Sequence, residues 1–274
     1  MTDTHDPLRS LGRRRALQLL GGAGLAALAA CAGRSGDGAA TATTESTVPA
    51  AGPGGGAPPG GGSSGSSADG AIPTETAGPY PGDGSNGPDV LDDAGIVRRD
   101  ITTGYGSSSG VAEGVPLTIE LAIVDADGGD PRPGAAVYVW HCDRGGGYSQ
   151  YGDLQGENYL RGVQAAGDDG VVRFTSIFPA AYSGRWPHIH FEVYDDVDAA
   201  TGGGSPLATS QVALPEDTCD AVYATDGYEQ SVTNMARTSL DSDMVFGDDG
   251  AAHQLATMSG SVAGGLTARL EVPV

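Results

Sequence analysis

Basic residues are scarce in this chain of 274 residues, where 14 Lys and Arg stand against 35 Asp and Glu. The formal net charge is −21 at pH 7. Proteins that bind nucleic acid neutralise its phosphates with clusters of basic side chains. The composition therefore argues against a nucleic-acid partner, and we interpret most of the acidic residues as solvated surface.

Long hydrophobic runs are missing as well. Residues 16–30 are rich in Leu, Ala and Gly, but this segment is too short to span a bilayer as a stable anchor. It follows the run Arg13-Arg14-Arg15, and a charged segment before a short apolar one is typical of an export signal. The arginine run resembles a twin-arginine signal. We therefore predict an export signal over residues 1–30.

The signal closes on Leu28-Ala29-Ala30-Cys31, which resembles a bacterial lipobox. In a lipobox the signal is cut before the cysteine, and the thiol receives a lipid. This predicts an exported protein, either a cell-surface lipoprotein or an extracellular one, whose only membrane contact is a lipid anchor at Cys31. The alternative is that Cys31 is one more small residue in an Ala-rich signal.

Large apolar residues are nearly absent from residues 31–72, which consist mainly of Gly, Ser, Ala, Thr and Pro. Such a segment buries too little surface to offset the entropy lost on ordering. We predict a disordered tether here. The remaining residues 73–274 are numerous enough for a single domain with its own core.

Cysteine is rare, with three residues in the chain, and their spacing matches no zinc cluster. If Cys31 carries a lipid, Cys142 and Cys219 remain as a pair in an oxidising compartment. We expect a disulfide between them. The alternative is two buried free thiols.

Helical signals are few, and a short helix is indicated only at 215–223. Apolar and β-branched residues alternate with polar ones, or form short runs, at 116–124, 136–141, 170–177, 210–214 and 266–272. Residues 188–193 show the same alternation. Many short strands separated by turns predict an all-β fold, namely a single β-sandwich of mixed or antiparallel strands with long loops.

Two of the five histidines, His188 and His190, lie on the strand just named. Because residues i and i+2 of a strand point to the same face, both imidazoles should project to one side. Tyr182 lies just upstream, and Tyr148 lies in a glycine-rich loop at 143–153. On residue type alone, Tyr151 and Tyr159 are alternatives to Tyr148.

Two histidines and two tyrosines suit a trivalent cation. Zinc sites favour Cys, His and carboxylate, and calcium or magnesium favour carboxylates and carbonyls. A bound cation stabilises the phenolate form of tyrosine. Two phenolates and a hydroxide would neutralise Fe(III), and two neutral imidazoles would complete five ligands.

The order of these residues resembles that of the intradiol ring-cleavage dioxygenases, which include the catechol and protocatechuate enzymes. The resemblance extends over residues 74–214, and the exported form looks like an actinobacterial branch of the family. It rests on Trp140-His141-Cys142-Asp143, Gly147-Tyr148, Arg161-Gly162, residues 174–179, Tyr182 and residues 185–191.

The resemblance implies a ligand set for non-haem Fe(III) of Tyr148, Tyr182, His188 and His190. It also implies that Arg185 is the active-site arginine and that Gln211 orients it. Pro79 and Tyr80, in Gly78-Pro79-Tyr80, would border the substrate pocket.

The implied reaction is the cleavage of a catechol-type aromatic diol by dioxygen to a muconate-type diacid, with both oxygen atoms incorporated. Tyr182 would leave the metal and take a proton from the diol, and Arg185 would stabilise negative charge that develops on the ring. The chain departs from the family at Pro179-Ala180-Ala181-Tyr182, where Gly usually stands two residues before the tyrosine.

Two other functions stay open at this point. One is a non-catalytic, exported β-sandwich binding module, which would need no iron. The other is a zinc hydrolase that uses His188 and His190, although it would also need a carboxylate ligand and the sequence offers no clear candidate.

Overall fold

The computed structural model describes residues 70–274. The predicted export signal, the lipobox with Cys31 and nearly all of the predicted tether lie outside the described residues. Ile72, at the end of that tether, is buried in the core, and its N–H donates to the Pro273 carbonyl oxygen at 2.9 Å.

Strands dominate the described part of the chain. They are β1 (Pro116–Val124), β2 (Ala136–Trp140), β3 (Arg161–Ala165), β4 (Val171–Ile177), β5 (His188–Tyr194), β6 (Ala208–Ala213), β7 (Thr257–Ser261) and β8 (Gly265–Pro273). The helices are short: α1 (Val197–Thr201), α2 (Glu216–Tyr223) and α3 (Glu229–Met235), with single 3-10 turns at Gly152–Leu154 and Leu240–Ser242. None of the helices within residues 70–274 has the length and apolar character needed to cross a membrane.

The strands form two four-stranded sheets, in the orders β4-β1-β8-β7 and β3-β2-β5-β6. All neighbouring strands are antiparallel except β1 and β8, which are parallel. This confirms the predicted all-β sandwich with mixed pairing.

The main core lies between the sheets and follows the period-2 pattern of the sequence. From β1, Leu117, Ile119, Leu121 and Ile123 point inward, and the alternate residues of β8 do the same. The second sheet contributes Val137 and Val139 of β2 with Ile189, Phe191 and Val193 of β5. Burial of these apolar side chains supplies the main driving force for the sandwich.

The opposite face of the second sheet is also covered. There Tyr138 and Trp140 of β2 pack in a separate cluster with loop residues such as Val90 and Ile96. All seven residues of β5 are therefore buried, including His188 and His190. The two histidines lie on this outer face, beneath loops rather than inside the sandwich.

Two strands were missed by the sequence analysis. Strand β3 has only five residues, and Arg161, Gly162 and Gln164 interrupt its apolar pattern. Strand β7 is a mostly exposed edge strand, with the sequence Thr-Met-Ser-Gly-Ser. Neither strand has the alternation on which recognition from a single sequence depends. The predicted helix at 215–223 is present as α2.

The predicted disulfide between Cys142 and Cys219 is wrong, because both cysteines are free and buried. Cys142 packs in the cluster on the outer face of the second sheet, whereas Cys219 on α2 packs in the core between the sheets. Each thiol points at a different carbonyl, that of Ala180 at 3.6 Å and that of Leu214 at 3.8 Å. The alternative of two buried thiols describes the structure.

Candidate metal centre

His188 and His190 present the same ring nitrogen to one another. Their Nε2 atoms are 3.2 Å apart, and both side chains are almost fully buried. The Nδ1–H of His188 donates to the Trp186 carbonyl, so the Nε2 atom keeps its lone pair. A hydrogen bond of this kind is the usual partner of a metal-binding histidine, because it fixes the tautomer and the ring orientation.

The two predicted tyrosines meet at the same point. The Tyr182 hydroxyl is 3.1 Å from His188 Nε2. The Tyr148 ring centroid is 6.0 Å from that of Tyr182 and 6.1 Å from that of His190. The Tyr148 hydroxyl is buried and has no hydrogen-bond partner among residues 70–274. Such an orphaned buried oxygen fits a metal ligand.

The geometry also distinguishes Tyr148 from its two neighbours. The Tyr151 hydroxyl accepts a hydrogen bond from the Gly82 N–H at 2.9 Å. The Tyr159 hydroxyl donates to Asp143 Oδ2 at 3.3 Å. Of these three tyrosines, only Tyr148 has a hydroxyl that is left unengaged by the described residues, and its ring lies next to the histidine pair.

Burial favours the neutral forms of these four side chains when no metal is bound. Burial lowers the pKa of His188 and His190 well below the usual value, with Arg185 adding to the effect on both. Burial raises the pKa of Tyr182 to about 12 and that of Tyr148 well above 10. Two imidazole lone pairs and two phenols thus face one small volume, which suits a cation that would ionise the phenols.

These four side chains, which we call the donor set, include no cysteine and no carboxylate. Residues 70–274 contain no group of three or more His, Cys, Asp or Glu placed to hold a metal. A zinc hydrolase of the usual kind draws its ligands from that set. Two phenols with two imidazoles fit a hard trivalent ion better.

Arg185 lies beside this donor set and is fixed on two sides. Its Nη2 donates to Gln211 Oε1 at 2.7 Å, and its Nε donates to Asp243 Oδ2 at 2.9 Å. Its Nη1 is 3.4 Å from His188 Nε2. Gln211 is fixed in turn, because its Nε2 donates to the Thr76 carbonyl. The predicted pair of Arg185 and Gln211 is therefore held as a unit at the site.

Asp243 is a site residue that sequence reasoning missed. It is buried, and besides Arg185 its carboxylate accepts hydrogen bonds from the backbone N–H groups of Trp186, Val245 and Phe246 at 2.6, 2.8 and 3.1 Å. It lies 58 positions after Arg185, beyond the segment that resembles the family. Asp243 lies in no motif, and the sequence does not show which of the many acidic residues pairs with Arg185.

Aromatic stacking supports the ring of His190. Trp140 stacks on it with ring centroids 4.9 Å apart and an angle of 5° between the planes. Tyr138 stacks on Trp140 in turn, also at 4.9 Å. Trp140 and His190 are direct partners in the pairing of β2 with β5, so the sheet register sets this contact.

Arg161 joins the Tyr148 loop to the segment that carries Tyr80. It is 1% exposed. Its guanidinium donates to the Tyr80 and Pro81 carbonyls and the Tyr138 hydroxyl, at 2.9, 2.6 and 3.0 Å. It also donates to the carbonyl and the hydroxyl of Ser149, at 2.8 and 3.0 Å. All these acceptors are neutral oxygens. Arg161 therefore holds the two segments together by hydrogen bonds and not by an ion pair.

Residues 78–80 close the site on one side. Gly78 has φ +73°, and a Cβ there would lie 3.1 Å from His190 Cε1, so the close approach favours glycine. The Tyr80 ring is 5.1 Å from that of Tyr148, and the Pro79 carbonyl accepts a hydrogen bond from Asn86. Of the two predicted border residues, Tyr80 thus lies against a candidate ligand, whereas Pro79 contacts Asn86.

Ala180, which stands where the resemblance leads one to expect Gly, fits the loop before Tyr182 without strain. Neither Ala180 nor Ala181 has a positive φ, so no glycine is required at either position. The N–H of Ala181 donates to Ser231 Oγ at 3.1 Å, and its carbonyl accepts from Asn234 Nδ2 at 2.9 Å. Helix α3 therefore holds the loop that ends at Tyr182.

The two remaining histidines of the described chain lie outside the site. His141 is buried, with hydrogen bonds to Ser176 Oγ and the Cys142 carbonyl, and burial lowers its pKa to about 4. His253 is exposed.

A cleft of about 410 Å³ opens beside the donor set. Its lining includes Tyr80, Tyr148 and Tyr151, together with Asp143 and Asp153 of the glycine-rich loop. The cleft thus adjoins the donor set at Tyr148, which is the one candidate ligand among its lining residues.

Comparisons with known proteins point to one family. Residues 86–195 match a family model described as "Dioxygenase". A catechol 1,2-dioxygenase from Pseudomonas sp. (strain EST1001) is 41% identical over 54 residues, which is 20% of this chain and 18% of that protein. A hydroxyquinol 1,2-dioxygenase from Corynebacterium glutamicum is 36% identical over 99 residues, or 35% of this chain and 30% of that protein. The matched part thus spans less than a third of these curated relatives.

The fold agrees with the sequence matches. A structure of an intradiol ring-cleavage dioxygenase from Tetranychus urticae superposes with a TM-score of 0.54 at 24% identity, covering 66% of this chain and 87% of that one. The central sequence of the chain therefore matches the dioxygenase family model, and its sandwich has the fold of the intradiol ring-cleavage dioxygenases, as the motifs predict.

Proposed function

We propose that this protein is an intradiol dioxygenase that uses non-haem Fe(III) to cleave a catechol-type aromatic diol with dioxygen to a muconate-type diacid. One observation carries the proposal. The Tyr182 hydroxyl and the Nε2 atom of His190 each lie within 3.2 Å of His188 Nε2, beside the orphaned hydroxyl of Tyr148.

The chemistry of the donor set fits ferric iron. Tyr148 and Tyr182 would supply two anionic oxygens, and His188 and His190 two neutral nitrogens, so a trivalent cation would be nearly neutralised. Iron bound there would serve as a Lewis acid and as a template for the two oxygens of the diol.

Tyr182 is placed to handle the proton of the diol. Its hydroxyl lies 3.1 Å from His188 Nε2, and the residue is less fully buried than Tyr148. As phenolate it is a base strong enough to accept a proton from a diol hydroxyl.

The positive guanidinium of Arg185 lies beside the proposed iron ligands. Because Asp243 and Gln211 hold its Nε and Nη2, the remaining Nη1 faces His188 and the space where the ring would lie. A fixed cation in a buried site stabilises negative charge that develops on the ring more strongly than the same cation in water. The buried Phe246 ring lies beside this guanidinium, with 5.9 Å between the ring centroid and Arg185 Cζ.

The test is oxygen uptake by purified, iron-loaded protein with catechol, together with its metal content and visible absorption. Phenolate coordinated to Fe(III) should give a red-brown colour that changes when catechol is added without oxygen. We expect Tyr148→Phe and His190→Ala to lose bound iron, oxygen uptake or both, whereas Tyr159→Phe, whose hydroxyl bonds to Asp143, should keep them.

Several results would contradict this proposal. Full turnover by either ligand variant would refute the assignment of that ligand. Colourless protein with one zinc per chain and no oxygen uptake would favour a hydrolase, and protein that binds no metal after iron loading would favour a binding module.

We also propose that the chain is exported and anchored through a lipid on Cys31. This rests on the sequence of residues 1–31 alone. The mass of the mature N-terminal peptide would check both the cleavage and the lipid.

A further inference from the structure

The cleft beside the donor set carries negative charge. Asp153 is exposed on the 3-10 turn that forms one wall, and Asp143 contributes a second carboxylate. No basic residue lines this cleft within the described chain. Tyr148 is both a candidate ligand and a lining residue of the cleft, so a diol held at Tyr148 and Tyr182 would place a ring substituent beside the cleft.

The arginines nearest to the cleft are occupied. Arg161 uses its donors on neutral oxygens of residues 80, 81, 138 and 149. Arg144, next to Asp143 in sequence, forms an ion pair with Glu113. Arg185 is held by Asp243 and Gln211, its remaining Nη1 points at His188, and it does not line the cleft. The chain contains no lysine. The described residues thus place no unengaged cation along the cleft to pair with an anionic substituent.

The walls of the cleft favour an aromatic molecule. The Tyr80 ring lies 5.1 Å from the Tyr148 ring and 5.0 Å from the Tyr151 ring, which makes a surface of three tilted rings. Four glycines, at 145–147 and 152, also line the cleft and leave part of its wall without side chains. A substituent larger than a methyl group therefore has room to extend toward solvent.

From these observations we propose that the site selects aromatic diols whose ring substituent is uncharged or cationic, and disfavours diols that bear a carboxylate. This inference rests on the proposed function. Its physical basis is like-charge repulsion from Asp143 and Asp153 without a compensating cation, added to the large negative charge of the whole chain.

The experiment compares three diols of similar size on the iron-loaded, full-length protein: 4-methylcatechol, 3,4-dihydroxybenzylamine and 3,4-dihydroxybenzoate. Both the dissociation constant without oxygen and kcat/KM with oxygen are measured. We expect the benzoate to bind roughly tenfold more weakly than the other two. The gap should narrow as salt is raised, because exposed charges are screened.

Variants of Asp153 locate the effect, since its exposed side chain forms no ion pair within residues 70–274 that the substitution would break. Asp153→Asn should improve binding of the benzoate relative to the amine several-fold, and Asp153→Lys should improve it further. Asp127→Asn is the matched control, because Asp127 is also exposed but lies in the β1–β2 turn, away from the cleft.

The inference is overturned if the benzoate binds as tightly as 4-methylcatechol, or if Asp127→Asn shifts the ratio as much as Asp153→Asn. A different result separates the two proposals. If none of the three diols binds or is consumed, the proposed function itself fails, and the choice among substituents fails with it.

Discussion

The buried carboxylate of Asp243, together with Gln211, sets the orientation of Arg185. It accepts the Arg185 Nε–H and three backbone N–H groups, so both of its oxygens are engaged. Removing one partner of a buried ion pair leaves the other charge uncompensated, which is far more costly than losing a surface pair.

We expect Asp243→Asn to lower kcat by roughly ten- to a hundredfold, as changes to supporting residues of metal sites commonly do. The free energy of unfolding should fall by about 3 kcal/mol. Iron content and KM should change little, because Asp243 does not contact the four proposed ligands. Kinetics with catechol and urea unfolding measure these effects.

Asp241→Asn is the matched control for that variant, since Asp241 is exposed on the adjoining 3-10 turn. If the two substitutions reduce kcat equally, or if Asp243→Asn mainly raises KM, the positioning role assigned to Asp243 is incorrect.

The predicted site residues that belong to a compact motif lie together in the structure. Tyr182, Arg185, His188 and His190 lie close together along the chain, and the structure brings them together. Asp243 comes from a distant loop, and such a long-range contact leaves no local pattern. The disulfide between Cys142 and Cys219 was predicted from their even number and is absent. The two thiols pack in separate clusters, which the count of cysteines cannot reveal.

At the scale of elements, the site depends on how loops are fastened to the second sheet. Arg161 at the start of β3 fastens two of them, the segment with Tyr80 and Pro81 and the loop with Tyr148 and Ser149. One planar side chain with five N–H donors serves acceptors that are distant from one another in sequence.

We expect Arg161→Lys to destabilise the protein by about 3 kcal/mol, because an ammonium group has three donors and leaves buried carbonyls without partners. The affinity for iron should also fall, since the loop with Tyr148 loses its anchor. Thermal unfolding and competition with an iron chelator measure the two effects.

Arg173→Lys provides the comparison for Arg161→Lys. Arg173 lies on β4 and forms half-exposed ion pairs with Glu120 and Asp169, which contribute little to stability. Unchanged iron affinity in Arg161→Lys would show that the Tyr148 loop is held by other contacts.

Elements with a clear period were predicted, and elements without one were not. Strands β1 and β8 alternate along most of their length and were recognised. Their direct parallel pairing was not predicted. β1 and β8 are far apart in the sequence, and the local sequence of a strand does not identify the strand that pairs with it.

At the scale of the whole molecule, one buried carboxyl should link stability to pH. Burial raises the pKa of Glu75 from 4.5 to about 7; Asp248 and Asp249 add to this, while the hydrogen bond from Gln254 and the charge of Arg185 oppose it. The folded protein then holds a proton that the unfolded chain has lost between pH 4.5 and about 7. The free energy of unfolding should therefore fall as pH rises through this window.

We expect Glu75→Gln to weaken that pH dependence, because the amide stays neutral and can still bond to Gln254. Melting temperatures across the window from pH 4.5 to about 7 measure the difference from the unmodified protein. Glu271→Gln on β8, which is exposed, serves as the control. Parallel curves for Glu75→Gln and the unmodified protein would show that Glu75 does not titrate in this range.

The donor set lies on the outer face of the second sheet, whereas the apolar core fills the space between the sheets. Chemistry and architecture are therefore carried by different side chains of the same strand, β5. Substitutions at the donor set leave the packing between the sheets untouched, so a protein that has lost its activity in this way should still fold.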